Sequence, residues 1–452
     1  MRINESFNEK VVTAIQLFSS GWCNLECKYC YIPKTDFLKT VHQKIIERVK
    51  DGSLIKELKE MVGDELDSLS HWGTEPSLTL PFFKDFYKEA GKSFPNLNNI
   101  SMSSNFMTSP NNMIEFVNNT LPKKKKLNVS LQISLDGPPW ITDDNRTGGS
   151  TEKIVNNIVE VLKSIEDYHN VSFHIKATIT KEIIQKMNDP AVLEDYYNFF
   201  ESCFEKWHAA KGDKKIFLGP SVDPTIVAPD SYTKQDGINF FNLINLQFEL
   251  GMKGKYKYIT QPLCFYFRRW IDKIPYYREF YTKPRMFSCS SGDSCLGFGD
   301  KPYTVYGCHR AYYTNYPEYI DSIQKWNTEK KMVESTDADR NKIMTDTNVA
   351  NVNDKKKFLK TLYVNRGFQD FMIHRNNIRI ASIVELAHCG QISPIYKKVN
   401  YAYLLSLFLE TNNCQIRNIN DSGLMESQDL PQVRLFANGA VELYLRKFLG
   451  RE

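Results

Sequence analysis

The sequence predicts an α/β protein, a partial barrel of six β/α units followed by a smaller α+β region. Three observations predict it. Strand-like alternation and helix-like periodicity take turns through the first half of the chain, that turn-taking stops after Pro224, and the Gly-, Ser- and Cys-bearing segments of the first half fall just after strands. With 452 residues, 42% of them hydrophobic, the chain can bury a large core and is expected to hold two or three domains.

Taken in order, Val11 to Phe18 reads as a strand, Val41 to Lys59 as a helix, Leu66 to Trp72 as a strand and Pro81 to Lys92 as a helix. A strand near Ile100 to Ser104, a helix from Asn111 to Asn119, a strand at Val129 to Leu135 and a helix at Thr151 to Ile165 continue the pattern. Val171 to Thr180 is a fifth strand, Ala191 to Trp207 a helix, and Lys215 to Gly219 a sixth strand. Six parallel strands fall short of the eight that close a full barrel, and they place functional loops at their C-terminal ends.

Residues 1–225 form this core. Residues 226–285 follow as a helical, aromatic-rich bridge containing YKYITQPLCFYFRRWIDKIPYYREFY, which is expected to pack between domains. Residues 286–420 carry a Gly- and Cys-rich opening, a polar insertion around 326–357 and a helical stretch from about 378 to 410. The final segment, 421–452, includes QVRLFANGAVELYL, which suits a hairpin around Asn438-Gly439.

Composition excludes several classes. The 58 basic and 53 acidic residues nearly balance, so nothing asks for a nucleic-acid partner, and Lys123 to Lys126 read as a solvated loop face. No run of eighteen apolar residues suggests a membrane span, and the mixed-charge start MRINESFNEK lacks the apolar stretch of an export signal. A cytoplasmic, thiol-reducing setting is expected, where ten cysteines point to metal or redox chemistry instead of a disulfide scaffold.

Cys23, Cys27 and Cys30 stand within CNLECKYCY, spaced x3 then x2, directly after the first strand. Three thiolates on one loop can hold an iron–sulfur cluster while leaving one iron open; a zinc site completed from elsewhere stays open as an alternative. The spacing, with Tyr29 just before the last cysteine, resembles the signature of radical S-adenosylmethionine (SAM) enzymes. The resemblance implies a [4Fe-4S] cluster whose open iron binds SAM, giving a 5′-deoxyadenosyl radical. Gly73-Thr74-Glu75-Pro76 is similar to that family's Gly-Gly-Glu-Pro segment, which implies that Gly73 lets the backbone approach the cofactor and that Glu75 accepts from the SAM ammonium group. ISLDGPPWITDDNR is similar to the family's Ser-Leu-Asp-Gly segment, implying a ribose contact for Ser134 and a carboxylate contact for Arg146, with Asp136 either at the cofactor or shaping the loop. Ser103 to Asn105, after the third strand, occupy the place of another polar segment of the family, so Ser103 and Asn105 are candidate cofactor contacts.

Cys289, Cys295 and Cys308, inside CSSGDSCLGFGDKPYTVYGCHR, resemble the opening of the SPASM/twitch-like module of radical SAM maturases, where cysteines flank a hairpin and ligate an auxiliary [4Fe-4S] cluster. The dense array needed for a second auxiliary cluster is missing; Cys389 is the expected fourth ligand of the first, with Cys414 or a non-protein ligand as alternatives. Cys203 and Cys264 read as packing residues. His309 follows Cys308 and is a candidate proton acceptor, where sulfatase-maturing relatives use an aspartate.

The resemblance implies an oxidoreductase that abstracts hydrogen from a peptide or protein substrate, fed by an external electron donor such as flavodoxin or ferredoxin. Because the cluster begins at residue 23, leader recognition is expected from the C-terminal half or from a separate protein. A carbohydrate, nucleotide or other small-molecule substrate, and a non-catalytic cluster-binding module, are the alternatives; Glu75, Ser134 and Arg146 speak against the last.

Overall fold

In the computed structural model, the structure describes residues 12–30, 32, 36–123, 126–187, 189–226, 255–259, 295–306 and 349–351. Six strands alternate with helices as the periodicity requires. They are β1 (Ala14–Ser20), β2 (Ser68–Gly73), β3 (Asn99–Ser104), β4 (Asn128–Ser134), β5 (Asn170–Ile179) and β6 (Phe217–Ile226). Three short strands follow: β7 (Cys295–Phe298), β8 (Thr304–Tyr306) and β9 (Val349–Asn351). The strand order is β6-β5-β4-β3-β2-β1-β7-β8-β9, parallel from β6 through β7 and antiparallel beyond it. The α/β class and the parallel sheet are therefore as expected.

The helices are α1 (Asp36–Lys50), α2 (Ser53–Met61), α3 (Lys84–Ser93), α4 (Pro110–Glu115), α5 (Pro139–Asn145), α6 (Ser150–Ser164), α7 (Lys181–Lys186) and α8 (Pro190–Lys211). Their apolar stripes cover one face of the sheet. On α6, Ile154, Val155, Ile158, Val161 and Leu162 recur at helical spacing and are buried. Against them lie Leu69, Ile100, Met102, Leu131, Ile133, Phe173 and Ile175, all buried.

Some elements differ from the sequence expectation. The stretch read as one helix, Val41 to Lys59, is two, because Gly52 turns the chain with φ of 74° before α2. The sixth strand continues past Gly219 to Ile226 through Pro220 and Pro224; it lies at the sheet edge, where a missing N–H is tolerated. Helix α5, which starts at Pro139 after Pro138, is not among the elements read from the sequence, and β7 is too short to show alternation.

The β7–β8 hairpin, with Cys295 at its start, lies against β1 by parallel pairing of Ala14 with Cys295 and Leu17 with Phe298. It is also held from the helical side. Arg48 of α1 and Glu57 of α2 form a buried ion pair, and Arg48 Nη1 donates to the Gly299 carbonyl at 2.5 Å. The Tyr303 hydroxyl donates to Glu60 Oε2 at 2.7 Å. Cys289, Cys308, His309, Cys389, Cys264 and Cys414 lie outside the described residues, as do the C-terminal helical stretch and the hairpin around Asn438.

Candidate functional site

The C-terminal ends of β1 to β5 gather the first-half candidates. At the end of β1 the chain turns sharply. Ser20 and Gly73 pair across β1 and β2, and a Cβ on Gly73, at φ of 140°, would lie 2.2 Å from the Ser20 carbonyl oxygen. Glycine is thus required by the close approach of two strand ends, before any ligand is considered. Thr74 ties the loop down from the other side: its hydroxyl hydrogen-bonds the Trp22 carbonyl, and its N–H donates to the Ser20 carbonyl at 2.9 Å. The loop that follows carries the three thiols.

Cys23, Cys27 and Cys30 are half-buried and form no disulfide. Donors surround their sulfurs. The Leu25 N–H points to Cys23 Sγ at 3.4 Å and the Ile32 N–H to Cys30 Sγ at 3.4 Å. Asn105 Nδ2 lies 3.7 Å from Cys23 Sγ, and Arg146 Nη1 lies 4.0 Å from Cys27 Sγ. Burial pushes the Cys27 thiol pKa up and that of Cys30 to about 12. Among the described residues, no three Cys, His, Asp or Glu side chains converge as the ligands of a single metal ion. Three soft sulfur ligands on one loop, with N–H donors around them, suit an iron–sulfur cluster, and zinc accepts the same ligand type.

Glu75 sits at the end of β2, 2% exposed. Its Oε1 accepts from the Ser77 N–H at 3.1 Å, the Ser77 hydroxyl at 2.5 Å and the Ser104 hydroxyl at 2.8 Å. Among the described residues its Oε2 accepts only the Asn105 N–H, at 2.8 Å, leaving acceptor capacity on that oxygen. Burial raises the Glu75 pKa, and these hydrogen bonds oppose the shift. The residue therefore locks the loop after β3 to that after β2 and keeps unused acceptor capacity on one oxygen.

Asp136, after β4, is fully buried and surrounded by donors. Arg146 grips it in a bidentate pair, Nε to Oδ2 at 3.0 Å and Nη2 to Oδ1 at 2.9 Å. The Tyr29 hydroxyl donates to Oδ2 at 2.8 Å and the Thr178 N–H to Oδ1 at 2.9 Å. Burial pushes the Tyr29 phenol pKa up, which keeps it a donor. Of the two readings of Asp136, the geometry supports the positioning one: its carboxylate joins the cysteine loop, α5 and β5. Held this way, Arg146 keeps Nη1 directed at the sulfur of Cys27, the one edge of its guanidinium that Asp136 does not occupy.

Ser134 and Ser103 lie on the other face of the sheet, both half-buried; Ser103 accepts from Gln132 Nε2 at 3.1 Å. Ser104, not its neighbour Ser103, reaches Glu75, as the period of two on a strand dictates. Sequence reasoning missed Ser77, Ser104 and Thr178. The last acts through its backbone N–H and leaves no side-chain signal. Cys203 is buried in the core on α8, in the packing role expected.

No family model matches the chain, and no curated protein matches it. Solved structures do. Native anSMEcpe with bound AdoMet aligns at 18% identity over 65% of this chain and 74% of that one, with a TM-score of 0.43. Streptococcus suis SuiB bound to precursor peptide SuiA aligns at 10% identity over 68% of this chain and 61% of that one, with a TM-score of 0.38.

Proposed function

We propose that this protein is a radical SAM enzyme that abstracts hydrogen from a peptide or protein side chain. The observation that carries the reading is the three-thiol loop at the end of β1, flanked on neighbouring strand ends by a buried acceptor, Glu75, and a clamped cation, Arg146. Cys23, Cys27 and Cys30 would hold a [4Fe-4S] cluster, and SAM bound there supplies the 5′-deoxyadenosyl radical that takes an unactivated hydrogen. Glu75 Oε2 accepts from the SAM ammonium group. Arg146, oriented by Asp136, offers Nη1 to the SAM carboxylate. Ser134 faces the ribose, while Ser103 and Asn105 border the same space, and Thr74 and Gly73 hold the loop in register. Tyr29 fastens the loop to Asp136 beneath.

The β7–β8 hairpin that begins at Cys295 has the antiparallel form expected of the opening of a SPASM/twitch-like module. On this reading Cys289, Cys295, Cys308 and Cys389 bind an auxiliary [4Fe-4S] cluster, His309 accepts a proton from substrate, and a flavodoxin or ferredoxin supplies electrons.

Anaerobic reconstitution with iron and sulfide tests the proposal. About eight irons per chain are expected with both clusters, falling to about four in Cys23→Ala or in Cys295→Ala. SAM with a reductant should release 5′-deoxyadenosine from wild type and not from Cys23→Ala. Reconstituted protein that leaves SAM intact would refute the radical chemistry, and an iron count unchanged by Cys295→Ala would refute the auxiliary cluster alone.

A further inference from the structure

Buried parallel sheets carry apolar residues on both faces. This one does not. Opposite the helices, the side-chain row across the sheet runs Gln16, Ser70, Ser101, Ser130, Ser172 and ends at Phe217; the next has Phe18 and Trp72 at its β1–β2 end and Ser103, Gln132 and His174 beyond. Toward the cysteine loop stand Ser134 on β4 and Lys176 on β5, backbone partners in the ladder and both half-buried. Lower hydroxyls satisfy one another or the backbone: Ser70 Oγ and Ser101 Oγ lie 2.5 Å apart, and Ser172 Oγ donates to the Val129 carbonyl at 3.4 Å. The Ser134 hydroxyl and the Lys176 ammonium have no such partner among the described residues. Other cations near this edge are engaged, Arg146 with Asp136 and Lys28 with Asp144. Lys176 is the one cation among the described side chains of this face. Asp223 on β6 stands across from it in the backbone register.

We propose that Lys176, beside the ribose position given to Ser134, binds a carboxylate of the substrate, so that this face selects an acidic peptide. An ammonium forms a charge-assisted hydrogen bond with a carboxylate, and a half-buried setting screens the pairing less than open surface does. This inference rests on the radical SAM reading. The carboxylate comes either from an Asp or Glu side chain or from a chain terminus.

The test uses reconstituted full-length protein with SAM and three pools of randomised seven-residue peptides: central Glu with an amidated C-terminus, central Gln with an amidated C-terminus, and central Gln with a free carboxylate. Retention by the protein is read by mass spectrometry. At least one carboxylate pool should exceed the Gln-amide pool about five-fold on wild type and on Lys176→Arg. That preference should vanish on Lys176→Met while SAM affinity stays unchanged, and should survive Asp223→Asn. Which carboxylate pool is retained identifies the source of the anion. Equal retention of all pools by wild type, a preference that persists in Lys176→Met, a parallel loss of SAM binding in that variant, or a loss in Asp223→Asn matching that of Lys176→Met would each overturn the proposal. Failure of the radical SAM reading itself shows separately, as wild-type protein that neither binds nor cleaves SAM.

Discussion

The two faces of one sheet have opposite chemistries, and β2 shows it within six residues. Leu69 and His71 enter the helix-covered core, where His71 is ringed by Phe83, Tyr87 and Phe116, while Ser68, Ser70 and Trp72 face the other way and stay half-buried. The helical side is closed by the chain itself. Among the described residues the other side carries mostly hydroxyl, amide and imidazole groups, and the contrast separates residues that hold the helix-covered core from residues suited to chemistry.

The contrast can be tested by substitutions on each side and at the edge where the faces meet. The largest loss is expected at that edge. Asp136→Ala leaves the Arg146 guanidinium buried without its counter-ion and should cost ~3–5 kcal/mol, read as a lower urea midpoint. On the helical side, Leu131→Ala removes a side chain 1% exposed and should cost ~2–5 kcal/mol by the same measurement.

His71 tests the same side through pH. Burial among aromatic rings pushes its pKa down to about 3, so the fold holds it neutral while the unfolded chain takes up a proton below its ordinary value of 6.5. Its contribution is complete above pH 6.5 and is lost as pH falls from 6.5 toward 3. Over that interval wild type should lose ~1.4 kcal/mol per pH unit more than His71→Gln does. Denaturant titrations from pH 7 to pH 4 check the slope, and parallel curves would show that His71 is not held neutral. The smallest effect belongs to the polar face: Ser130→Ala, beside Leu131 in sequence, should stay within ~0.5 kcal/mol of wild type. A cost matching that of Leu131→Ala would mean that both faces are packed and would end the comparison.

The alternation that separates the faces was readable in the sequence, which is why six strands and the strand-end position of each motif could be assigned. Side-chain period also decides that Ser104, one residue from the candidate Ser103, meets Glu75. Other features had no local signal. The partners of Asp136 come from residues 29, 146 and 178, brought together only by folding, and one of them is a backbone N–H. The Arg48–Glu57 pair looks in sequence like two ordinary helix-surface charges, yet Gly299, 251 residues from Arg48, accepts its hydrogen bond. Short β7 offered four residues and no periodicity, and its role is set by the β1 edge it covers.

That covering has a consequence for anyone dividing the chain. A fragment ending at Ile226 would contain the first six strands but would strip β7 from β1 and turn an interior strand into an open edge, while Arg48 would lose the Gly299 carbonyl. Such an edge invites self-association. Chimeras or truncations meant to carry the cysteine loop into another protein would have to bring residues 295–306 with it, because the first β/α unit is completed by a piece of chain encoded far downstream.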